Sequence, residues 1–369
     1  MIRKTIAVLI CIFMIVLTFQ GAVVAQEPNF KQKAAQLCRD GYLGDFNKDG
    51  KVRINDVRSA LRVAIGLDVC TEEQQSNIDV DFSGGKTTIN DVRVLLRYTV
   101  GLSGFEIPLT NEEIVNYFVE AANKVKVDNP GLDRTTTVVS PSIRVWVSNT
   151  EVQDMELSET KDYMDEQIAY LEKYRDLWGL ILSEEKIKEL EDSIEQWNLN
   201  KENIDKAYEP KVETFHVQAG KSHYAAFTVR GKTWSSRATA DDVKSAKLIY
   251  NRGSYEIMIN YDEYFYSELP LDMTTLEYGR MFDLPSCTAL TKPSDTSFVF
   301  NALTLKNGLV RSKIDLDTGT LEDAKYFFEY IWDYSQIGKD STTNEDTESR
   351  FVYTVKNTAE YVMGEGLPQ

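Results

Sequence analysis

The stretch Asp45-Phe46-Asn47-Lys48-Asp49-Gly50-Lys51-Val52-Arg53-Ile54-Asn55-Asp56 places oxygen-bearing side chains at positions 1, 3, 5 and 12 of a loop, with glycine at position 6. Carboxylates and a carboxamide at alternate positions can converge on one hard cation, and a backbone carbonyl at position 7 adds a ligand. Gly50 permits the sharp turn that gathers them. The pattern predicts a Ca2+ site built from Asp45, Asn47, Asp49, the Lys51 carbonyl and Asp56. Asp56 stands where glutamate is usual and can still chelate. Position 9 is Arg53, whose charge opposes the cation unless the side chain swings outward.

Upstream, Cys38 to Gly44 reads as a turn, because two glycines in so short a stretch disfavour a helix. Downstream, Val57, Ala60, Leu61, Ala64 and Ile65 recur at helical spacing, and Gly66 sits where a C-terminal cap is expected. The unit is therefore loop then helix, and it repeats. Asp56-Val57-Arg58-Ser59-Ala60-Leu61-Arg62 is echoed 35 residues later by Asp91-Val92-Arg93-Val94-Leu95-Leu96-Arg97, and both runs close on Gly-Leu. The second loop is less regular. Read from Asp79, it offers Asp79, Asp81, Ser83 and Gly84 at positions 1, 3, 5 and 6, but Asp91 then falls one place late. Read from Asp81, it is one residue short. The second site is therefore expected to be the weaker.

Two such units, each opened by a calcium loop, resemble a type I dockerin over residues 38–104. That family docks secreted proteins onto cohesin domains of a scaffoldin. The resemblance implies an all-α calcium-binding module and a cohesin partner. It places recognition on loop positions 10 and 11 and the adjoining helix: Ile54, Asn55, Leu61 and Arg62, with counterparts Ile89, Asn90, Leu96 and Arg97. For Leu61 and Leu96 a place in the core is an equal alternative.

The ends and the charge fit export. Arg3 and Lys4, the apolar run from Ile6 to Phe19 and the sequence Val23-Val24-Ala25 read as a secretory signal cleaved after Ala25, with an uncleaved anchor as the alternative. Cleavage takes the net charge from −17 to −19, which repels nucleic acid and anionic lipid. Cys38 and Cys70 bracket the first unit, and in an exported protein that placement invites a disulfide. Closing that loop is worth about 3–4 kcal/mol in the chain-entropy account. Cys287 reads as a small buried hydrophobe.

Ser103 to Pro108 reads as a short linker between a module over residues 26–104 and an α+β domain over 105–369. Thr110 and Glu113 form a capping box for a helix with the apolar stripe Ile114, Phe118, Ala121 and Val125, stopped by Asn129-Pro130-Gly131. A strand is expected over Val138 to Val147, and a charged helical hairpin over 159–208 turns near Leu182-Ser183. Beyond it, Thr239 with Asp242 suggests a helix start, Tyr255, Ile257 and Ile259 alternate as in a strand, and Asn307-Gly308 marks a hairpin between Phe298–Leu305 and Leu309–Ile314. Asp317-Thr318-Gly319 turns into a strand from Ala324 to Tyr330. Short stretches around Trp234, Ala240–Ala246 and Ile314–Gly319 look like an uncharacterised domain of secreted bacterial proteins that accompanies dockerins, without a known activity. The region from Leu109 to Gln369 is expected to fold alone.

Catalytic signatures are sparse. There are two histidines, His216 and His223, and no G-x-S-x-G, HExxH or phosphate-binding glycine loop. Tyr261 to Tyr266 is acidic and aromatic, suited either to stacking on sugar rings or to burying one face of a strand. Two roles follow for the second domain: a non-catalytic binding or structural part, with glycan as one partner, or a polysaccharide-degrading enzyme using two carboxylates.

Overall fold

The computed structural model describes residues 29–369 apart from 129, 148–149, 156, 180–181, 221–235, 271, 283, 285–297, 340–345 and 365–369. The expected signal segment, His223 and Cys287 lie outside the described residues. Helices and one large antiparallel sheet make up the molecule, an α+β architecture. No helix among the described residues is long and apolar enough to cross a membrane.

Residues 30–99 carry only helices and turns. They are α1 (Phe30–Leu37), α2 (Ile54–Ala64), α3 (Glu72–Ile78) and α4 (Ile89–Thr99). Each has a sequence reason to start. Asn29 accepts the Gln32 N–H ahead of α1, Thr71 and Gln74 close a capping box on α3, and Thr88 with Asp91 closes one on α4. Helices α2 and α4 end alike, on Gly66 and Gly101 with φ of 76° and 78°, and the next N–H in each returns to an arginine carbonyl at 2.8 Å (Leu67 to Arg62, Leu102 to Arg97).

The linker expected over Ser103–Pro108 is a strand instead. β1 (Phe105–Ile107) pairs with β5 (Val243–Asn251) and buries Phe105 and Ile107 completely. Its Phe105 ring stacks on Tyr98 of α4 with centroids 4.1 Å apart, and Phe30 of α1 stacks at 4.0 Å on Tyr117 of the helix over Asn111–Asp128. Gly44 faces the Phe105 ring so closely that a Cβ would lie 2.7 Å from it. The buried residues of 30–104 and of the sheet form one continuous core. Folding of Leu109–Gln369 by itself is not what this packing favours: a cut there removes β1 and uncovers β5.

Helix α5 (Asn111–Asp128) starts on the expected box, with the Thr110 N–H donating to Glu113 at 2.8 Å and the Glu113 N–H to Thr110 Oγ1 at 3.2 Å. Its stripe of Ile114, Phe118, Ala121 and Val125 is buried against β5, β6 (Ser254–Tyr261) and β9 (Thr320–Leu321). The other strands are β2 (Leu132–Val147), β3 (Thr150–Met155), β4 (Lys211–Val217), β7 (Tyr264–Tyr266), β8 (Phe298–Asp315), β10 (Asp323–Lys339) and β11 (Asp346–Met363). The eleven-stranded sheet runs β1-β5-β6-β8-β10-β11-β2-β3, with β4 also on β2, and β7 and β9 also on β8. Along one edge β2 meets β4 through Leu132–Val138 and β3 through Ile143–Val147. The helical hairpin, α6 (Leu157–Trp178) and α7 (Glu184–Tyr208), is the excursion between those two strands. It closes on Met164, Ile168 and Ile194, with the Lys186 N–H on Ser183 Oγ at the turn.

One expected turn and one expected helix start became other features. Asn307-Gly308 does not end a strand: β8 runs through it, and the register against β10 slips there, between Phe327 and Glu329. Asn307 takes φ 55°, the Gly308 N–H donates to the Tyr278 hydroxyl at 2.9 Å, and a Cβ on Gly308 would sit 2.7 Å from that ring. The glycine therefore serves a bulge that admits the fully buried Tyr278. Thr239 and Asp242 do close a capping box, but it caps only the 3-10 turn Ala240–Asp242 before β5 begins. Arg280 binds the buried Asp242 at 2.7 Å, fixing that corner.

Candidate calcium centre and docking face

Both loops fold by the same set of backbone-to-carboxylate bonds. In the first, Asp45 Oδ2 accepts the Gly50 N–H at 2.7 Å, Asn47 Oδ1 accepts that of Asp49 at 3.0 Å, and Asp56 Oδ1 accepts that of Phe46 at 3.1 Å. In the second, Asp79 Oδ1 accepts the Gly84 N–H at 3.4 Å, Asp81 Oδ1 that of Ser83 at 3.0 Å, and Asp91 Oδ1 that of Val80 at 3.1 Å. Position 4 is left-handed in both, Lys48 at φ 58° and Phe82 at φ 55°, as is the position 6 glycine. The register difficulty of the second loop is resolved by Gly84 and Gly85, consecutive at φ 71° and 80°. A left-handed pair absorbs the extra residue at little cost because neither has a Cβ.

Despite its irregular register, the second loop gathers its carboxylates closely. One oxygen from each of Asp79, Asp81 and Asp91 lies within 4.8 Å of the others, the one such cluster among the described residues. In the first loop position 3 is Asn47, and Asp49 at position 5 is drawn outward to Arg53 at 3.2 Å. Arg53 thus swings away from the loop centre while partly neutralising a ligand. Asp45, Asp56 and Asp91 are buried. Burial raises the Asp56 and Asp91 carboxyls above the ordinary aspartate range, and neighbouring carboxylates add to it. Burial pushes Asp81 the same way, but hydrogen bonds from Asn90 and Ser83 outweigh it and bring it down to about 2. Closely placed acids of this kind fit a divalent cation bound through oxygen. Lys51 and Ser83 are exposed on the rims of their loops.

Helices lie nearer these loops than the sequence reading allowed. α3 ends at Ile78, immediately before Asp79, so the second loop has a helix on both sides; the first is preceded by α1 and the 3-10 turn Arg39–Gly41. Asn77 was not read as functional, yet it straps the two loops together. Its buried side chain donates to the Asp45 carbonyl at 3.2 Å, and its own carbonyl accepts the Gly44 N–H at 2.6 Å. A lone buried asparagine beside an apolar Ile78 was the available signal.

The expected disulfide is not formed. Cys38 and Cys70 are free. Cys38 is buried under the sheet, where desolvation outweighs a hydrogen bond with Tyr255 and pushes its thiol up to about 11. Cys70 instead contacts Gln75 Oε1 at 3.9 Å. Cys38 therefore meets Tyr255 of β6 in place of its expected partner.

Helices α2 and α4 pack on each other and leave matching apolar side chains outside. Ile54 and Ile89 are 55% and 57% exposed, Leu61 and Leu96 39% and 43%, so neither leucine is core. Ile65, Leu67, Val100 and Leu102 extend the face and are likewise exposed. The polar members differ between copies. Arg62 is bound by Asp68 at 2.6 and 2.9 Å and Asn90 donates to Asp81, whereas Asn55 and Arg97 are exposed without a side-chain hydrogen bond among the described residues.

Comparison with protein-family models, with curated proteins and with solved structures finds no counterpart for this chain.

Proposed function

We propose that residues 26–104 form a calcium-binding, dockerin-type module through which a secreted protein docks onto a cohesin domain, and that the sheet is a non-catalytic binding or structural part. The exposed face repeated on α2 and α4 carries this reading. Four pairs of equivalent apolar residues remain outside on, and just past the ends of, two helices related by an internal repeat, and a soluble chain rarely exposes so much apolar surface together unless something covers it. The loops support it: each begins its helix by binding backbone N–H groups through the same aspartates that would hold the cation.

A carboxylate-based hydrolase fits the sheet less well. Its buried acids on β10, Glu329 and Asp333, lie four residues apart on one strand, roughly 13 Å by strand rise, beyond the 5–9.5 Å that glycosidases use. Glu329 lies between Lys306 and Lys356, each 3.9 Å away. Burial of Asp333 is outweighed by hydrogen bonds from Arg350 and Asn301, which hold it below the usual range, the reverse of a general acid.

The test is a quadruple variant, Asn55→Ala, Arg62→Ala, Asn90→Ala and Arg97→Ala, assayed against a panel of cohesins with calcium and with a chelator. Because the two halves are alike, changing Asn55 and Arg62 alone is expected to leave binding intact, while the quadruple change abolishes it. Full binding by the quadruple variant would move the interface elsewhere.

A further inference from the structure

Where the first loop meets the tip of the β5–β6 hairpin there is a cleft of about 440 Å³, within the range of small-ligand sites. Its charged lining is entirely cationic: Lys51, Arg53 and Arg252. Leu43, Tyr98 and Tyr250, all buried, form the floor. In a chain with 58 acidic against 41 basic residues, a concavity without a carboxylate in its lining is an exception. The acids of the adjoining loop do not fill the gap: Asp45 and Asp56 are turned inward and buried, and Asp49 is engaged by Arg53.

The geometry is fixed rather than incidental. The Tyr98 hydroxyl accepts the Arg252 N–H at 2.8 Å, and Tyr250 accepts a backbone hydrogen bond from Gly253, so both tyrosines hold the hairpin tip in place. Arg252 itself is held at φ 51°. The space beside Gly41, Gly50 and Gly253 is open, with nothing within 4 Å of a Cβ placed on any of them. Among the described residues neither the Lys51 ammonium nor the Arg252 guanidinium has an ion-pair partner, although most ion pairs in the molecule draw surface lysines and arginines to nearby acids. Two unpaired cations of different shape, a third held loosely by one carboxylate, and a phenolic floor make a receptor for a compact oxyanion.

We propose that this cleft binds a small ligand through an oxyanion, the carboxylate of an acidic sugar or the phosphate of a sugar ester. The guanidinium fork of Arg252 takes the anion from one wall and Lys51 meets it from the other, while the hydroxyl-bearing remainder lies over the tyrosines. The cleft adjoins the end of α4, where the Arg252 guanidinium comes within 4.0 Å of a Cβ placed on Gly101, but its cationic lining is distinct in chemistry from the apolar side chains of the exposed face of α2 and α4.

The full chain, in buffer containing calcium, is titrated calorimetrically with galacturonate, galactose 6-phosphate and galactose, which differ only at C6, the carbon outside the ring. Saturable binding of one or both anions with none of galactose is expected. The acid alone binding identifies a uronate-type ligand; the ester alone identifies a phosphorylated one. Lys51→Gln and Arg252→Gln, each checked for unchanged near-ultraviolet circular dichroism, are expected to weaken that binding on the order of tenfold or more, since each removes a charge-assisted hydrogen bond. Absence of saturation with both anions, equal binding of galactose, or wild-type affinity in either variant would overturn the proposal.

Discussion

Replacing Phe105 with alanine tests whether the helical segment and the sheet are one cooperative unit. The ring is fully buried, stacks on Tyr98 at 4.1 Å with planes 3° apart, and is hemmed in by Gly44, while its backbone pairs with Tyr250 of β5. Truncating a phenylalanine in such a site costs about 3–5 kcal/mol, and the seam between loops and sheet carries that loss. The readout is built into the sequence. All five tryptophans lie beyond residue 145, so their fluorescence during urea unfolding reports the sheet side and not the loops. With calcium bound to the loops as proposed, a hundredfold excess over the dissociation constant stabilises the folded state by about 2.7 kcal/mol, and this gain is expected to shift the tryptophan transition although the loops lie among residues 45–91. In Phe105→Ala the transition falls by the amount above and the calcium shift shrinks or separates into a second phase. A loss under about 1 kcal/mol, or a wild-type tryptophan transition indifferent to calcium while helical dichroism responds to it, would show that the two parts unfold independently.

Asp91→Asn is expected to lower calorimetric calcium stoichiometry by one site, because Asp91 joins the carboxylate triad of the second loop; unchanged stoichiometry would remove that loop from consideration. Gly308→Ala places a methyl 2.7 Å from the Tyr278 ring and should lower stability by about 1–3 kcal/mol, as overpacking does, measured as a drop in urea midpoint; a neutral outcome would mean the bulge yields. Asp333 is held below its unfolded pKa, its burial outweighed by hydrogen bonds from Arg350 and Asn301, so its contribution is complete above the unfolded value near 4 and is lost as pH falls through the lower folded value. Arg350→Ala should therefore reduce stability at neutral pH and flatten the acid limb of a urea-midpoint profile; parallel acid limbs would refute the pairing.

Local chemistry made much of the molecule legible. The Thr110–Glu113 box, the Asn129-Pro130-Gly131 stop, the buried stripe of α5 and the Gly-Leu endings of α2 and α4 depend on neighbours within one or two turns, and the sequence states them directly. What it hid depends on contacts far along the chain. Ser103-Gly104-Phe105-Glu106-Ile107-Pro108 has the composition of a linker; only pairing with residues some 140 positions away makes it a strand. Asn307-Gly308 has the local signature of a hairpin, and the competing demand of Tyr278 for space turns it into a bulge. At the loops, the identities of the carboxylates were readable, but their convergence was not, because two adjacent glycines reset the count between Ser83 and Asp91.

Strand β1 also sets what the molecule can do mechanically. It begins within a few residues of the end of α4 and is hydrogen-bonded at once into the sheet, so the exposed apolar face of α2 and α4 has no slack tether. Whatever the helices hold is held at a fixed attitude to the sheet, like a tool keyed to its shaft. Traction on those helices would reach β5 directly, through the three residue pairs of β1 and the stacked rings of Tyr98 and Phe105.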